Sequence, residues 1–252
     1  GAFASAAVAG FTQSLALGLA AGVAVASLVA AFYGLVTIRG RANEFVTGLA
    51  ANLLASGLAV VLSAQLFKTK GNIALDLAPL PEFAPGMAKS LPFLGELLFG
   101  HNALVYLSWL AVPIAAFVIR KTPFGLRLRA AGSNPRALLA QGLRPERYRF
   151  AAVLVSGAAA GLAGACLSLS LAAYVPNMSS GRGWIALVAI YLGGRKSAGV
   201  AAACLAFALA DSFANYAQGF LKVPSDIILA LPYAVTFVAL VAGAAVKRAR
   251  SR

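Results

Sequence analysis

The sequence predicts an all-α, polytopic helical membrane protein with about seven transmembrane helices and one short half-helix. Of its 252 residues, 61% are hydrophobic and only 11% are charged, whereas soluble domains are nearer about 25% charged. Its uncharged stretches repeatedly approach or exceed the roughly 20 residues that span a bilayer. We expect a single transmembrane domain over residues 1–252.

The spans follow from the uncharged runs, taken in order. Residues 1–38 carry no charge and are too long for one helix. The polar break Thr12-Gln13-Ser14 divides them into the end of one span, Gly1–Gly10, and a full span, Leu15–Ile38. A basic turn, Arg39-Gly40-Arg41, follows. The later predicted spans are Glu44–Phe67, Asn102–Ile119, Arg149–Leu171, Ser197–Phe220 and Ile227–Val246.

Two connections are predicted to be external loops. Lys68–His101 contains four prolines and balanced charge, and we expect a short interfacial helix at Leu91–Phe99 within it. Ala172–Gly183 carries turn residues. Trp184–Leu192 is apolar but spans only half a bilayer, at about 1.5 Å per residue. We interpret it as a half-helix or re-entrant segment, which needs protein or water over its open backbone.

Basic residues are distributed unevenly over this topology. Sixteen lie on the side predicted to be cytoplasmic and five on the external side, a bias that predicts a cytoplasmic C-terminus. The net charge of +14 does not indicate nucleic-acid binding, because these residues lie at span boundaries and no basic surface is interleaved with aromatics.

The segment Lys121–Arg149 is a basic, polar island between apolar helices. From Arg120 to Arg149 it carries eight Lys or Arg residues and one acid, Glu146. A turn, a helix over Arg136–Gln141 and a glycine stop are predicted within it. A simple tether needs none of these, so we predict a cytoplasmic segment that docks a partner, through Gly132, Ser133, Asn134, Pro135, Arg136, Gln141 and Gly142.

Two polar stripes interrupt the apolar helices. Asp211 and Asn215 share a face of one span, and Asp211 is the only acid well inside a predicted span. Asn52 and Ser56 lie on a second small and polar face. Each stripe suits either an interhelical contact that fixes packing or the lining of a path for a polar, uncharged solute.

Small residues predict where helices approach one another. The pairs Gly18-xxx-Gly22 and Gly157-xxx-Gly161, the second followed by Gly164, are typical of close helix contacts in membranes.

Residues for catalysis or metal binding are not indicated. The chain has no phosphate-binding GxxxxGK[ST] loop, no HExxH and no GxSxG. Cys166 and Cys204 lie apart in apolar helices, and His101 is the only histidine. We therefore expect no catalytic residue, no metal site and no cofactor on this chain, and an enzyme is disfavoured.

The basic island and four further segments carry a family resemblance. TPFGLRLRAAGSNPRALLAQGL resembles the cytoplasmic coupling segment of permeases from bacterial ABC importers, in the branch for nucleosides and simple sugars that is related to the ribose and branched-chain amino-acid permeases. The other matching segments are NEFVTGLAANLLASGL, VLVSGAAAGLAGACLSL, SSGRGWIALVAIYLGGRKSAGVAAACLAFALADSF and PSDIILALPYAVTFVAL. Such permeases are longer, so we expect one or two further helices before Gly1.

The resemblance implies a permease subunit in a bacterial plasma membrane, surrounded by lipid. It implies two cytoplasmic ATPases that bind ATP and Mg²⁺, a second permease subunit, identical or paralogous, and a substrate-binding protein or lipoprotein outside. The expected solute is a nucleoside, with a simple sugar as the alternative. An ion-coupled secondary transporter is the rival from another class, but it would need intramembrane charges or an inverted repeat.

Overall fold

The computed structural model describes residues 1–69, 72–81, 100–179 and 181–218, and of Ala217 and Gln218 it describes the backbone alone. Helices dominate this part of the chain. They are α1 (Ala2–Thr12), α2 (Leu15–Gly34) with a π-helical extension (Leu35–Arg39), α3 (Glu44–Phe67), α4 (Ala103–Lys121), α5 (Pro123–Ser133), α6 (Pro135–Ala140), α7 (Pro145–Ser170), α8 (Arg182–Leu192) and α9 (Ser197–Gln218). Two short strands are β1 (Ile73–Ala74) and β2 (Ala173–Tyr174).

The predicted fold class is confirmed. Five described helices are long and apolar enough to cross a membrane: α2 with its extension, α3, α4, α7 and α9. They carry many exposed apolar side chains, such as Leu28, Leu53 and Leu209, which are 68%, 70% and 72% exposed. Apolar surface of this extent indicates contact with lipid or protein. The span predicted at Ile227–Val246 and the helix at Leu91–Phe99 lie outside the described residues.

Local signals explain where the first helices begin and end. α1 ends at Gln13, whose φ of 52° is left-handed, and the Ser14 side chain caps α2 by accepting from the amide of Leu17. The Asn43 side chain likewise accepts from the first amides of α3. Capping side chains satisfy amides that have no partner within the helix. The polar break predicted at Thr12-Gln13-Ser14 is therefore confirmed.

The chain divides into two compact units. The first comprises Gly1–Leu110 with Val118–Ser179, and the second comprises Ala111–Phe117 with Ser180–Arg252. The prediction of one domain over residues 1–252 stays a prediction.

In the first unit, α1, α2 and α7 pack closely at the glycines that the sequence singled out. A Cβ atom at Gly18 would lie 2.7 Å from the carbonyl oxygen of Ser5, and one at Gly161 would lie 2.8 Å from that of Gly22. A Cβ atom at Gly157 would overlap the Ala30 methyl group. The prediction that these glycines mark helix contacts is confirmed, and their role is to let backbones touch.

A buried hydroxyl pair joins two of these helices. The Ser5 and Ser168 side chains are fully buried, and their Oγ atoms lie 2.7 Å apart. Ser5 also donates to the Ala2 carbonyl, 2.9 Å away. Buried hydroxyls need such partners, because an unsatisfied polar group inside a helix bundle is costly. The pair fixes the register of α1 against α7.

At one end of the first unit the two loops predicted to be external meet. β1 and β2 pair antiparallel, with Ile73 opposite Tyr174 and Ala74 opposite Ala173. Tyr174 is 5% exposed, and burial raises the pKa of its phenol. At the beginning of α4, Asn102 donates from Nδ2 to Ser170 Oγ at 2.9 Å. The loops therefore share one end of the helices, and that this end is external stays a prediction.

The second unit contains α8 and α9, which form a helical hairpin. Ala189, Ala203 and Phe207 form one buried cluster, against which Ile185 and Val188 pack. The turn between the helices is tight, because a Cβ atom on Gly193 would overlap the backbone of Val200. Trp184–Leu192, predicted as a short half-helix, is the core of the 11-residue α8. α8 is shorter than each of the five candidate membrane spans.

Candidate functional site

The basic island folds into a bracket of two helices, α5 and α6, set between the ends of α4 and α7. Its first corner is built by Thr122, whose hydroxyl donates to the Val118 carbonyl at 2.6 Å and accepts from the Gly125 amide at 3.2 Å. Pro123 takes the first position of α5, where its missing N–H costs nothing. A Cβ atom at Gly125 would overlap the Val118 carbonyl. These contacts fix α5 rigidly to the end of α4.

α5 is also fastened to the beginning of α7. The Arg149 guanidinium donates from Nε and Nη2 to the Ala131 carbonyl, at 3.2 and 2.7 Å. Arg127 donates to the Tyr148 hydroxyl at 3.3 Å, and the rings of Phe124 and Tyr148 lie 6.0 Å apart. Charged donors make stronger hydrogen bonds than neutral ones. α5 is therefore in direct contact with both α4 and α7.

α6 begins at Asn134, which serves two helices. Its backbone amide donates to the Ala130 carbonyl at the end of α5, and its side chain accepts from the Ala137 amide at 3.3 Å to cap α6. Pro135 then occupies the first position of α6. The predicted turn at Ser133-Asn134-Pro135 is confirmed, and it is a helix–helix corner.

α6 ends in a Schellman motif. The Gly142 amide donates to the Leu139 carbonyl at 2.9 Å, and the Leu143 amide donates to the Leu138 carbonyl at 3.0 Å. Gly142 has a φ of +74°, a conformation that glycine adopts without strain. The predicted glycine stop is confirmed. The predicted helix, Arg136–Gln141, is observed one residue earlier, as Pro135–Ala140.

The sequence-predicted docking residues come together at the exposed corner of this bracket. Gly132, Ser133, Asn134, Arg136, Gln141 and Gly142 are exposed, and Pro135 is half-buried. All eight basic residues from Arg120 to Arg149 are exposed. None of the eight forms an ion pair within the described part of the chain. The corner is therefore a positively charged surface.

An open, largely apolar groove lies between α5 and α6. It has a volume of about 440 Å³ and is lined by Pro123, Leu126, Arg127, Ala130, Ala137, Leu138 and Gln141. Leu126 and Leu139 are 62% and 59% exposed, while Leu138 is buried beneath the groove. Exposed leucines beside exposed arginines are a surface suited to a protein partner.

Sequence reasoning missed α5 and its fastenings. The signal for α5 was available: Thr122-Pro123 is a cap followed by proline at the first helical position. The bond from Arg149 to the Ala131 carbonyl could not have been found, because it joins residues that are 18 positions apart and depends on how two helices pack.

The polar stripe on α3 remains exposed. Asn52 and Ser56 both lie on the surface of the first unit. The Ser56 hydroxyl donates to the Leu53 carbonyl of its own helix at 3.0 Å. Asn52 has no hydrogen-bond partner among the described residues. Neither side chain forms a hydrogen bond to another described helix, so the interhelical hydrogen bond considered for this stripe is not observed there.

The stripe on α9 holds an ion pair that the sequence did not predict. Arg182 Nη2, at the beginning of α8, lies 3.9 Å from Asp211 Oδ2, and these side chains are 52% and 47% exposed. Asn215, one turn further along α9, is exposed. The cost of an acid within a span could have signalled a nearby cation. The spacing of residues could not identify Arg182 as that cation.

The described part of the chain gives no indication of a metal site. Across residues 1–69, 72–81, 100–179 and 181–218, no three His, Cys, Asp or Glu side chains cluster closely enough to hold a metal ion. Cys166 is half-buried and Cys204 is exposed.

The amino-acid sequence matches one protein family and several named proteins. The family described as branched-chain amino acid transport system, permease component, matches residues 1–242. The chain is 31% identical over 234 residues to the guanosine ABC transporter permease protein NupQ of Bacillus subtilis, covering 89% of this chain and 72% of that protein. It is 30% identical over 224 residues to the nucleoside ABC transporter permease protein NupC of Lactococcus lactis subsp. cremoris, covering 87% of this chain and 70% of that protein.

A third relative is named for a sugar. The putative glucose ABC transporter permease protein TsgC13 of Haloferax volcanii is 32% identical over 179 residues, which are 69% of this chain and 53% of that protein. No solved structure matches the chain. Since the family match covers nearly all of its length and two relatives match at 30% identity or more over most of both chains, this multi-pass membrane protein belongs to the family of branched-chain amino acid transport system permease components.

Proposed function

We propose that the chain is the transmembrane permease subunit of an ATP-binding-cassette importer, forming the translocation pathway for a nucleoside that an extracytoplasmic binding protein delivers. The observation that carries this proposal is the α5–α6 bracket, which is fastened to α4 through Thr122 and to α7 through Arg149. An exposed helical corner that contacts the ends of two membrane helices is suited to transmit a conformational change of a docked partner to those helices.

The partners follow from this role. Of the two cytoplasmic ATPases, which hold ATP and Mg²⁺, one docks against α6 and the residues that flank it. A second permease subunit, identical or paralogous, completes the pathway in the lipid bilayer, and a binding protein or lipoprotein supplies the solute. The C-terminal residues lie on the cytoplasmic side, as the sixteen basic residues predicted on that side favour. This chain supplies no catalytic group of its own.

In the proposed transport cycle, the membrane helices switch between two packing arrangements. Closure of the ATPases moves the α6 corner, and α5 moves with it because Asn134 caps α6 and bonds to the end of α5. α4 and α7 then shift as rigid bodies, since packed helices have discrete arrangements and do not deform continuously. The polar residues Asn52, Ser56, Asp211 and Asn215 offer hydrogen bonds to a polar, uncharged solute along the pathway.

A nucleoside is favoured over a simple sugar by the relatives that match most of both chains, which are named for nucleosides or guanosine. The sugar alternative is supported by the relative named for glucose and by another named for L-arabinose. Nucleosides and sugars share vicinal hydroxyl groups, so one pathway chemistry serves both.

Uptake into proteoliposomes tests the substrate. The full-length permease is reconstituted with its ATPases and binding protein, and ATP-dependent uptake of guanosine, adenosine, uridine, glucose and L-arabinose is compared. We expect uptake of nucleosides above that of either sugar. Uptake of a sugar alone would contradict the nucleoside proposal and leave the importer in place.

Arg136→Glu tests the docking role. Arg136 is exposed in the first turn of α6, where a negative charge is favourable to the helix, so the variant should fold normally. We expect ATP hydrolysis to become uncoupled from uptake. Arg129→Glu, an exposed reversal on α5, is the matched control and should uncouple less. Uptake by Arg136→Glu at the parent rate would contradict docking through this residue.

A further inference from the structure

We propose that Arg182 and Asp211 form a recognition site for the vicinal hydroxyl groups of the transported solute, which in a nucleoside are the 2′- and 3′-hydroxyls of the ribose. This inference rests on the proposed function and adds Arg182, a residue that sequence reasoning assigned to a loop, to the substrate candidates.

The position of the pair in the α8–α9 hairpin is the first support. The buried seam between the two helices runs from Ala189 and Ala203 to Phe207, with Ile185 packed against it. Arg182 precedes Ile185 by one helical turn, and Asp211 follows Phe207 by one turn. The pair therefore lies next to the buried cluster, at the end of the hairpin where α8 begins. The charge distribution predicts that this end is external.

The geometry of the pair is the second support. The Nη2–Oδ2 separation of 3.9 Å is longer than a direct hydrogen bond, so the two groups attract one another without sharing a proton. Asp211 has no other described partner, and its carboxylate therefore keeps lone pairs that can accept hydrogen bonds. Both side chains are about half exposed, which leaves them accessible to a solute.

The chemistry fits adjacent hydroxyl groups. A carboxylate accepts from hydroxyl hydrogens, a guanidinium donates to hydroxyl oxygens, and both hydrogen bonds are charge-assisted. A vicinal diol has two donors and two acceptors at neighbouring positions, so it can bind the anion and the cation together. The exposed residue Asn215 lies one turn beyond Asp211 on the same face of α9.

A charged pair inside an apolar helix also needs a reason. An ionised side chain exposed to hydrocarbon costs several kcal/mol, and such groups face water-filled cavities or partners. A pair that served only to hold α8 against α9 could be replaced by apolar residues, like those of the seam below it. A site that repeatedly exchanges water for a hydroxylated solute has to remain polar.

The test compares solutes that differ by one hydroxyl. In proteoliposomes with the full-length complex and the same binding protein, ATP-dependent uptake of guanosine and of 2′-deoxyguanosine is measured for the parent, Asp211→Asn and Arg182→Met. Because the binding protein is unchanged, a change in the guanosine-to-deoxyguanosine ratio comes from the permease. We expect this ratio to fall by about tenfold, the effect of losing one charge-assisted hydrogen bond, while deoxyguanosine uptake falls less because only its 3′-hydroxyl contact is weakened.

Arg195→Met is the matched control, because Arg195 lies just beyond the other end of α8, 5.7 Å above the Tyr191 ring. It should leave the ratio unchanged. An equal fall for both solutes in Asp211→Asn and Arg182→Met, or no fall for either, would overturn the recognition site and make the pair structural.

A parent complex that takes up sugars and no nucleoside would contradict the nucleoside proposal alone. The same ratio is then measured with ribose and 2-deoxyribose, and it supports or overturns the diol site by the same criterion. A parent complex that takes up neither class would overturn both proposals.

Discussion

Arg149, at the beginning of α7, donates two hydrogen bonds to a single backbone oxygen at the end of α5, the carbonyl oxygen of Ala131. The contact is directional, because a guanidinium presents its N–H groups in a rigid fork. Ala131 is fully buried, so the carbonyl is held in place by the packing around it. This contact ties the end of α5 to the beginning of α7.

We therefore expect Arg149→Met to loosen the bracket while it keeps much of the apolar stem. The loss of the two charge-assisted bonds should cost about 2 kcal/mol of local stability and lower the uptake per ATP hydrolysed several-fold. Both rates are measured in the same proteoliposomes. Arg147→Met is the control, because the Arg147 side chain makes no described hydrogen bond. Equal coupling in the two variants would show that the Arg149 contact is dispensable.

Gly142→Ala should fray the end of α6. Its φ of +74° costs an L-residue about 1–2 kcal/mol, and hydrogen exchange of the Leu143 amide should accelerate about fivefold for each kcal/mol lost. Gly132→Ala is the matched control, because a Cβ atom there meets nothing within 4 Å and alanine favours a helix. Faster exchange in both variants, or in neither, would contradict the assigned cap.

Much of the fold could be predicted, because hydropathy and capping are local. α3 has the predicted bounds, Glu44–Phe67, since Asn43 caps its beginning. α5 was missed because its arginines break the apolar pattern. The β1–β2 pair, the Arg149 contact and the Arg182–Asp211 pair depend on packing between distant residues. Composition therefore singled out the basic island, and the structure shows the contacts that hold it against α4 and α7.

Gly157→Ala should destabilise the bundle by about 1–3 kcal/mol through overpacking, since the new methyl group would overlap that of Ala30. Ala30→Gly should restore part of this loss in the double variant, which makes the two effects non-additive. Gly57→Ala on α3, where a Cβ atom meets nothing within 4 Å, is the control. The free energy of unfolding is measured for the detergent-solubilised permease with Gly157→Ala, with Ala30→Gly, with both changes and with Gly57→Ala. Additive effects of the pair would contradict the contact.

Cysteine labelling checks the topology. In a background with Cys166→Ala and Cys204→Ala, single cysteines replace Asn72 in the loop at β1 and Ser133 at the bracket corner; both positions are exposed. An impermeant thiol reagent applied to intact cells should label Asn72→Cys, and Ser133→Cys should react only after the membrane is opened. The reverse pattern would invert the topology and place the bracket outside the cell.

The most direct test of the account is the energy source of nucleoside uptake. Proteoliposomes with the full-length permease, its ATPases and guanosine-loaded binding protein are assayed with and without ATP, and with ionophores that collapse every ion gradient. The account predicts accumulation of guanosine that requires ATP and the binding protein and is insensitive to the ionophores. Accumulation that persists without ATP and disappears with the ionophores would identify an ion-coupled transporter and contradict the account.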